Sequence, residues 1–258
     1  MGVLLGALGN EFSREMAYKA NFLIKLAALM TADLVGPIIT AVIYARTAGV
    51  PGWSFEQFLL LQGVFILVMG IMHFSQIKMA ARIIFEIREG TFDKFLTKPY
   101  KPLTYLTLTS WEPDGLGEAL VGIAIIAYSL IALNISIISF NFLLFIFVLL
   151  LALLFTYSLT VIIASVAFLF VKTFGLFNIL FQIMDIARYP VSIYSYGMRF
   201  FISFLVPITV TATVPSLVLI EGYSFFQLLW TIIPVIGFFL VSMLLWKAAM
   251  KKYTSSGG

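Results

Sequence analysis

The 258-residue chain is 62% hydrophobic and only 11% charged, against roughly 45–50% and about 25% in a typical soluble protein. This composition excludes an ordinary soluble domain and indicates that the chain lies in a lipid bilayer. The net charge of +4 comes from 16 Lys and Arg against 12 Asp and Glu. There is no cysteine and only one histidine, which excludes disulfides, thiolate metal sites and sites of paired imidazoles.

The amino-terminal part of the chain predicts an amphipathic segment followed by two membrane-spanning helices. Residues 1–20 mix charged side chains with Leu, Phe and Met, which is typical of a helix lying at the membrane interface. One helical crossing takes about 20 apolar residues, and spans are therefore expected at about 21–45 and 55–77. A short turn that contains Gly and Pro separates them.

A long charged stretch follows, at residues 78–112, and is expected to face water. No charged residue occurs between Glu118 and Lys172, an interval long enough for about 80 Å of helix at 1.5 Å per residue. Because one crossing takes about 30 Å, this interval predicts two spans, at about 115–133 and 141–171, joined by a short turn.

Three further segments are apolar enough to cross, at residues 173–190, 200–220 and 224–246. Lys and Arg of short loops collect on the cytoplasmic side of a membrane. The six cations of residues 78–101 therefore place that segment, and with it both termini, in the cytoplasm. The lysines that follow the last span are expected on the same side, which requires two crossings after Lys172. Residues 224–246 form one of these crossings, so only one of 173–190 and 200–220 can form the other.

The sequence itself leaves open which of the two segments is the fifth span. The distribution of Lys and Arg favours 200–220, because more cations then lie inside. Two prolines within this segment, Pro207 and Pro215, favour 173–190 instead, because proline removes a backbone donor and breaks a helix. A broken apolar segment at membrane depth suits re-entrant half-helices that are packed against protein.

Three stretches carry a more specific pattern. They are residues 86–103 (EIREGTFDKFLTKPYKPL), residues 187–194 (ARYPVSIY) followed by 204–208 (FLVPI) and 213–216 (TVPS), and the tail 250–258 (MKKYTSSGG). In this order they resemble the ABC type-2 permease superfamily, and more narrowly a bacterial and archaeal branch of six-span exporter permeases. The resemblance covers essentially the whole chain.

The resemblance implies an all-α integral membrane protein that forms a single transmembrane permease domain over residues 1–258. It implies six spans, an amphipathic helix before the first, and both termini in the cytoplasm. Residues 173–190 are then the fifth span, and 191–222 is an outer re-entrant segment. Asp185 and Arg188 are three residues apart and so share a helix face near the outer end of that span, where a structural ion pair is expected rather than substrate binding. The residues assigned to the re-entrant segment are Arg188, Tyr189, Pro190, Pro207 and Pro215.

The resemblance also implies that a short coupling helix within residues 78–112 docks on a separate ATPase subunit. The residues assigned to coupling are Glu89, Gly90, Thr91, Phe92, Asp93, Lys94, Phe95, Leu96 and Pro99. The local sequence fits this role, because Gly90 ends one helix and Thr91 can cap the next. Phe92, Phe95 and Leu96 are expected to form an apolar face that a partner groove would bind.

Several ionisable residues lie in or near the predicted spans. Such a group in hydrocarbon costs at least ~2.5–3.5 kcal/mol, which makes each a functional candidate. Lys25 and Glu118 are expected to reach water at the cytoplasmic interface. Asp33 lies within the first span, where it lines a translocation path or makes a structural contact. The lone histidine, His73, is expected to be a hydrogen-bonded polar residue rather than a proton relay.

These features predict the permease subunit of an ATP-binding-cassette exporter in the inner membrane of a prokaryotic cell. The chain contains no Gly-Lys pair and therefore no P-loop, so that ATP and Mg²⁺ are expected on a separate ATPase subunit. No catalytic residue, metal or cofactor is expected on this chain. The expected partners are ATPase subunits, a second permease as homodimer or heterodimer, and membrane lipid, with no nucleic acid. The alternatives are an ion-coupled secondary transporter and a non-transporting membrane anchor or assembly subunit.

Overall fold

The computed structural model describes residues 17–169 and 175–253, together with Gly6, Gly9 and Ser13. The predicted amphipathic segment 1–20 falls mostly outside these residues, as do Lys172 and the tail 254–258. Within the described residues every regular element is helical. The all-α prediction is therefore confirmed.

The helices follow one another along the chain with short connections. They are α1 (Lys19–Arg46), α2 (Phe55–Met72), α3 (Lys78–Arg88), α4 (Asp93–Leu96), α5 (Pro102–Thr109), α6 (Gly115–Ala132), α7 (Phe140–Val166), α8 (Leu176–Asp185), α9 (Tyr196–Phe200), α10 (Thr213–Ile220) and α11 (Phe225–Lys252). A π-helical turn, His73–Ile77, joins α2 to α3 without a break. Among the described residues, five helices are long and apolar enough to cross a membrane: α1, α2 with α3, α6, α7 and α11.

Two of these long helices begin with the same local sequence. In α2 the Ser54 hydroxyl accepts from the Gln57 backbone N–H at 3.2 Å, and the Gln57 side-chain oxygen Oε1 accepts from the Ser54 backbone N–H at 3.0 Å. Ser224 and Gln227 make the same reciprocal pair at the start of α11. Each pair is a capping box, which satisfies two backbone donors that the first helical turn leaves unpaired.

Helices α2 and α6 run antiparallel with their backbones in close approach. A Cβ atom at Gly70 would lie 2.3 Å from the Ala119 nitrogen, and one at Gly122 would lie 2.4 Å from the Leu67 nitrogen. Any side chain at these glycines would therefore displace the opposite backbone. Small residues at helix crossings are the usual way to pack helices in lipid, where no hydrophobic force draws them together.

Helix α2 lies at the centre of the bundle and α1 and α11 lie at its edge. In the α2–α3 helix 72% of the apolar stretch is buried. The buried share of the corresponding stretch is 11% in α1 and 22% in α11. Most side chains of the two outer helices thus face away from the protein, as expected of helices in contact with lipid or with a second subunit.

Helix α8 runs back along α2 toward the end at which α2 begins. The Phe181 ring lies 5.7 Å from the His73 ring, at the end of α2. The Arg188 carbonyl, just beyond α8, accepts from the Gln62 amide near the start of α2 at 2.7 Å. His73 and Gln62 are eleven residues apart, or about 16 Å along α2 at 1.5 Å per residue, so the contacts of α8 and its extension extend over about half of a membrane crossing.

Candidate functional site

The charged segment forms a hairpin of short helices at one end of the bundle. Helix α3 ends at Arg88, and Gly90 then adopts φ +67°, a left-handed conformation that favours glycine. The Thr91 N–H donates to the Glu86 carbonyl at 2.9 Å and the Gly90 N–H to the Ile87 carbonyl at 3.1 Å. These two bonds form a Schellman motif. The predicted helix end at Gly90 is therefore confirmed.

The side chain of Thr91 has a different role from the predicted one. Its hydroxyl donates to the Glu86 carboxylate, and α4 begins after Phe92 without a side-chain cap. The prediction that Thr91 caps α4 is wrong, because the turn at Gly90 directs this side chain back to α3. Glu86 also pairs with the Lys94 ammonium at 2.6 Å, which ties α4 to the end of α3.

The two phenylalanines of the coupling segment face the chain's own core. Phe92 is 0% exposed and its ring lies 5.2 Å from that of Phe168 and 5.5 Å from that of Tyr253. Phe95 is 2% exposed and lies 6.0 Å from the Tyr105 ring. The prediction that Phe92 and Phe95 form a face for a partner is therefore wrong. They hold α4 against the bundle instead.

The hairpin exposes the last residue of α4, Leu96, and the loop that follows it. All five residues from Leu96 to Tyr100 are exposed, and Pro99 lies among them. We call residues 96–100 the exposed loop. Leu96 and Tyr100 have about half of their surface free, and Lys98 adds a positive charge. Of the other residues assigned to coupling, Glu89, Thr91 and Lys94 are exposed, whereas Gly90 and Asp93 are partly covered.

A buried histidine–carboxylate pair lies deeper in the bundle, between α2 and α6. The Nδ1 atom of His73 lies 2.7 Å and 2.6 Å from the two carboxylate oxygens of Glu118. The Glu118 side chain is 2% exposed, so the expectation that it reaches water is wrong. His73 is hydrogen-bonded as predicted. The π-helical turn begins at this histidine, and such turns are frequent at functional positions.

A second ionic group joins α1 to the start of α6. The Lys25 ammonium lies 2.6 Å from the Glu112 carboxylate and 2.6 Å from that of Asp114. The Glu112 N–H in turn donates to the Phe74 carbonyl at 2.9 Å. We did not predict this group from the sequence. The available signal was a pair of acidic residues directly before one span and a lone lysine early in another.

Asp33 faces the same polar region from α1. Its Oδ2 atom is buried and accepts no hydrogen bond from the described residues. On α1 it lies between Leu26, which contacts Gly117 next to Glu118, and Gly36, which contacts Gln62 and Arg188.

Arg188 connects that segment to the start of α2. Its guanidinium pairs with Asp185 at 3.3 Å, which confirms the predicted ion pair, and lies 5.2 Å from the Phe65 ring centre. Its carbonyl accepts from Gln62, as described above. At the same level a Cβ at Gly36 of α1 would lie 2.7 Å from the Gln62 amide oxygen. Arg188 therefore lies where α1, α2 and α8 come together.

The prolines of the predicted re-entrant segment divide it into short helical pieces. Tyr189 is extended, and Pro190 and Pro207 each come directly before a 3₁₀ turn. Pro215 lies in the first turn of α10, where its missing N–H costs no intrahelical hydrogen bond. The segment ends near the start of α7, since a Cβ at Gly222 would lie 3.3 Å from the Asn141 amide.

The described residues include no group of three or more His, Asp or Glu side chains placed to hold a metal ion. The chemistry of the region is that of ion pairs and hydrogen bonds between helices. These contacts can hold the helices in a fixed arrangement or exchange between two arrangements.

The sequence was compared with known families and proteins. The model of the family described as "ABC-2 family transporter protein" matches residues 29–257. No curated protein and no solved structure matches the chain.

Proposed function

The chain belongs to the ABC-2 family of transporter proteins, and on that premise we propose that it is the permease subunit of an ATP-driven exporter. It is a multi-pass membrane protein. In this proposal it pairs with a second permease, either itself or a similar chain, and with two ATPase subunits that bind ATP and Mg²⁺. It spans the inner membrane of a prokaryotic cell with both termini and the exposed loop in the cytoplasm.

The proposal includes six crossings, of which residues 173–190 form the fifth. The path of α8 supports it, because α8 runs from the level of His73 to the level of Gln62. The proximity of Gly222 to Asn141 supports a re-entrant segment 191–222, since its start and end then lie at the same end of the bundle. Helix α11 returns from there as the sixth crossing.

The proposed contact with the ATPase is the exposed loop. The observation that carries it is the burial of Phe92 and Phe95, which anchors α4 and leaves Leu96 and Tyr100 outside. Because both rings are enclosed by the core, α4 is fixed to the bundle. A force that a partner applies to the exposed loop is therefore transmitted through α4 to the bundle. An apolar side chain with a neighbouring lysine on a fixed support is a surface that a protein groove can bind.

The continuous helix of α2 and α3 is the proposed link between the ATPase and the membrane. It spans Phe55–Arg88, 34 residues or about 51 Å of helix at 1.5 Å per residue. At one end Glu86 holds α4, and near the other Gln62 holds Arg188. A difference of a few kcal/mol in ATPase binding to two arrangements is enough to shift the bundle between them.

The test is a pair of substitutions in the exposed loop, Leu96→Asp with Tyr100→Ala, in a tagged chain expressed in its native host. We expect ATP-binding-cassette ATPase subunits to co-purify with the unsubstituted chain and to be reduced at least tenfold with this variant. The measurement is quantitative mass spectrometry of the purified complex. Unchanged recovery of the ATPase would contradict the assignment of the loop.

The matched control is Leu108→Ala on α5, another exposed apolar side chain of the charged segment. This variant is expected to retain the ATPase. Thermal unfolding of each purified permease shows whether loss of the ATPase reflects the loop itself. The loop residues are solvent-exposed, and we therefore expect the unfolding temperature to change little.

A further inference from the structure

A cavity of about 340 Å³ lies where the segment after α8 meets the first turns of α11. This is the end of the bundle opposite the charged hairpin, since Tyr253 beyond the far end of α11 contacts Phe92. A volume above about 300 Å³ is in the range of small-molecule sites. The polar and aromatic lining residues include Ser203, Thr209, Thr213, Tyr223, Gln227 and Trp230. Thr231 also lines the cavity, and its hydroxyl donates to the Gln227 carbonyl at 3.0 Å.

The lining combines free hydroxyl groups with an absence of charge. The hydroxyls of Ser203, Thr209, Thr213 and Tyr223 make no hydrogen bond to the described residues, although Thr209 and Thr213 are buried residues. Most Ser and Thr hydroxyls in this bundle bond a nearby backbone carbonyl instead, as Ser216 on α10 does with Ala212 at 2.8 Å. None of these four hydroxyl oxygens is enclosed by protein atoms, so they open onto the cavity and are available to whatever fills it.

An exposed aromatic strip begins at the same cavity. The Trp230 ring lies 5.7 Å from the Phe204 ring, which lies 5.5 Å from that of Phe200. Trp230 is 65% exposed, and Phe200 is also mostly exposed. Trp and other aromatic residues at the end of a membrane helix are typical of the lipid–water interface. The cavity therefore opens beside a surface that suits an acyl chain.

We propose that this cavity binds the uncharged, hydroxyl-bearing head group of an amphiphile whose acyl chain lies along the aromatic strip. Hydroxyl and amide groups of Thr209, Thr213 and Gln227 match a polar head without charge. A charged head would be unpaired there, because no Lys, Arg, Asp or Glu among the described residues lines the cavity, and burial of an unpaired charge is strongly unfavourable. The binding does not rest on ATP coupling or on the direction of transport.

The test uses Trp230 as the reporter of binding. The other three tryptophans are replaced, as Trp53→Phe, Trp111→Phe and Trp246→Phe, and the chain is reconstituted in nanodiscs. A brominated monoacylglycerol is then titrated against a brominated fatty acid and a brominated alkyl trimethylammonium of equal chain length. We expect saturable quenching of Trp230 by the uncharged probe at a concentration at least tenfold lower than by either charged probe.

The hydroxyls are tested by Thr209→Val with Thr213→Val, which keeps the shape of both side chains. We expect the monoacylglycerol concentration at half-maximal quenching to rise at least fivefold. The control is Ser216→Ala, on the same helix but outside the cavity, which is expected to leave it unchanged. Equal quenching by all three probes, or no effect of the threonine variants, would overturn the proposal. Either result would indicate that the cavity holds only water.

A second measurement keeps the test valid if the tryptophan variants do not fold. A monoacylglycerol that carries a photoreactive diazirine is cross-linked to the unsubstituted chain, and labelled peptides are expected within residues 191–231. Labelling spread over all lipid-facing helices would contradict the proposal. A transported amphiphile is expected to stimulate ATP hydrolysis by the complete complex, whereas a resident lipid binds without stimulation.

Discussion

At the scale of single residues, the bundle holds its charges in pairs rather than exposing them. A carboxylate buried as fully as Glu118 is strongly unfavourable alone, and His73 supplies the partner that its position requires. The Lys25 ammonium does the same for Asp114. Asp33 and Asp114 each keep one carboxylate oxygen that is buried without a hydrogen bond from the described residues. Such oxygens are uncommon in folded proteins, because buried polar groups usually have a partner.

Disruption of the His73–Glu118 pair is expected to destabilise the protein strongly. Glu118→Gln and His73→Gln should each lower the free energy of unfolding by about 3–5 kcal/mol, because each leaves the other group buried without its partner. The double variant should lose less than the sum of the two. The measurement is a double-mutant cycle by thermal unfolding in detergent, and additive losses would contradict the coupling.

The control for that cycle is the ion pair of Arg88 with Glu89 at 3.0 Å, whose side chains are well exposed. Exposed pairs contribute only about 0–1 kcal/mol, because water solvates both partners. Arg88→Gln and Glu89→Gln should therefore change the unfolding temperature little, singly or together.

At the scale of helices, the α2–α6 contact fixes the centre of the bundle. Gly70→Ala is expected to destabilise the protein by at least about 1–3 kcal/mol, because its Cβ would lie 2.3 Å from the Ala119 nitrogen and would force the two helices apart. Gly237→Ala on α11 is the matched control, since no atom lies within 4 Å of a Cβ there. Alanine favours helix over glycine by roughly 1 kcal/mol, so the control should keep or raise the unfolding temperature.

Equal destabilisation by the two glycine variants would contradict this assignment. It would mean that glycine matters in these helices for backbone flexibility and not for close approach. The comparison is made on purified chains in the same detergent, by the midpoint of thermal unfolding.

Much of the helical pattern could be predicted from the sequence, because a bilayer demands long apolar runs and the chain marks their ends with charges. The role of each side chain within a helix was harder to predict. Phe92 and Phe95 stand in a charged stretch, and only the three-dimensional packing against Phe168 and Tyr253 shows that they face inward. The partner of Glu118 lies 45 residues away, on another helix, which no local pattern reveals.

At the scale of the whole molecule, one helix connects both ends of the bundle. Helix α2 and its extension α3 contact the charged hairpin at Glu86 and the segment after α8 at Gln62. The ionic groups of Lys25, His73 and Arg188 lie along α1, α2, α6 and α8, between those ends. A shift of α2 would therefore alter all three groups together, which gives the bundle the means to change state as a unit.

The topology of the whole chain gives the last prediction, which separates residues 173–190 from 200–220 as the fifth crossing. The chain has no cysteine, so single cysteines can be introduced without background. We propose Tyr196→Cys as the reporter, because Tyr196 is highly exposed and lies between the two segments. Ser136→Cys and Thr97→Cys, in exposed loops at opposite ends of the bundle, serve as the outer and inner controls, and the variants are expressed in a host without the ATPase subunits so that position 97 is not covered.

A membrane-impermeant maleimide applied to intact spheroplasts is expected to label position 196 together with position 136. Position 97 should react only after the membrane is permeabilised, because the cations of residues 78–101 are expected to place that loop in the cytoplasm. Labelling of 196 with the pattern of 97 would make 200–220 the fifth crossing. In that case the cavity beside α11 would be lined by a membrane-crossing segment, and not by a re-entrant segment that enters and leaves the membrane on the same side.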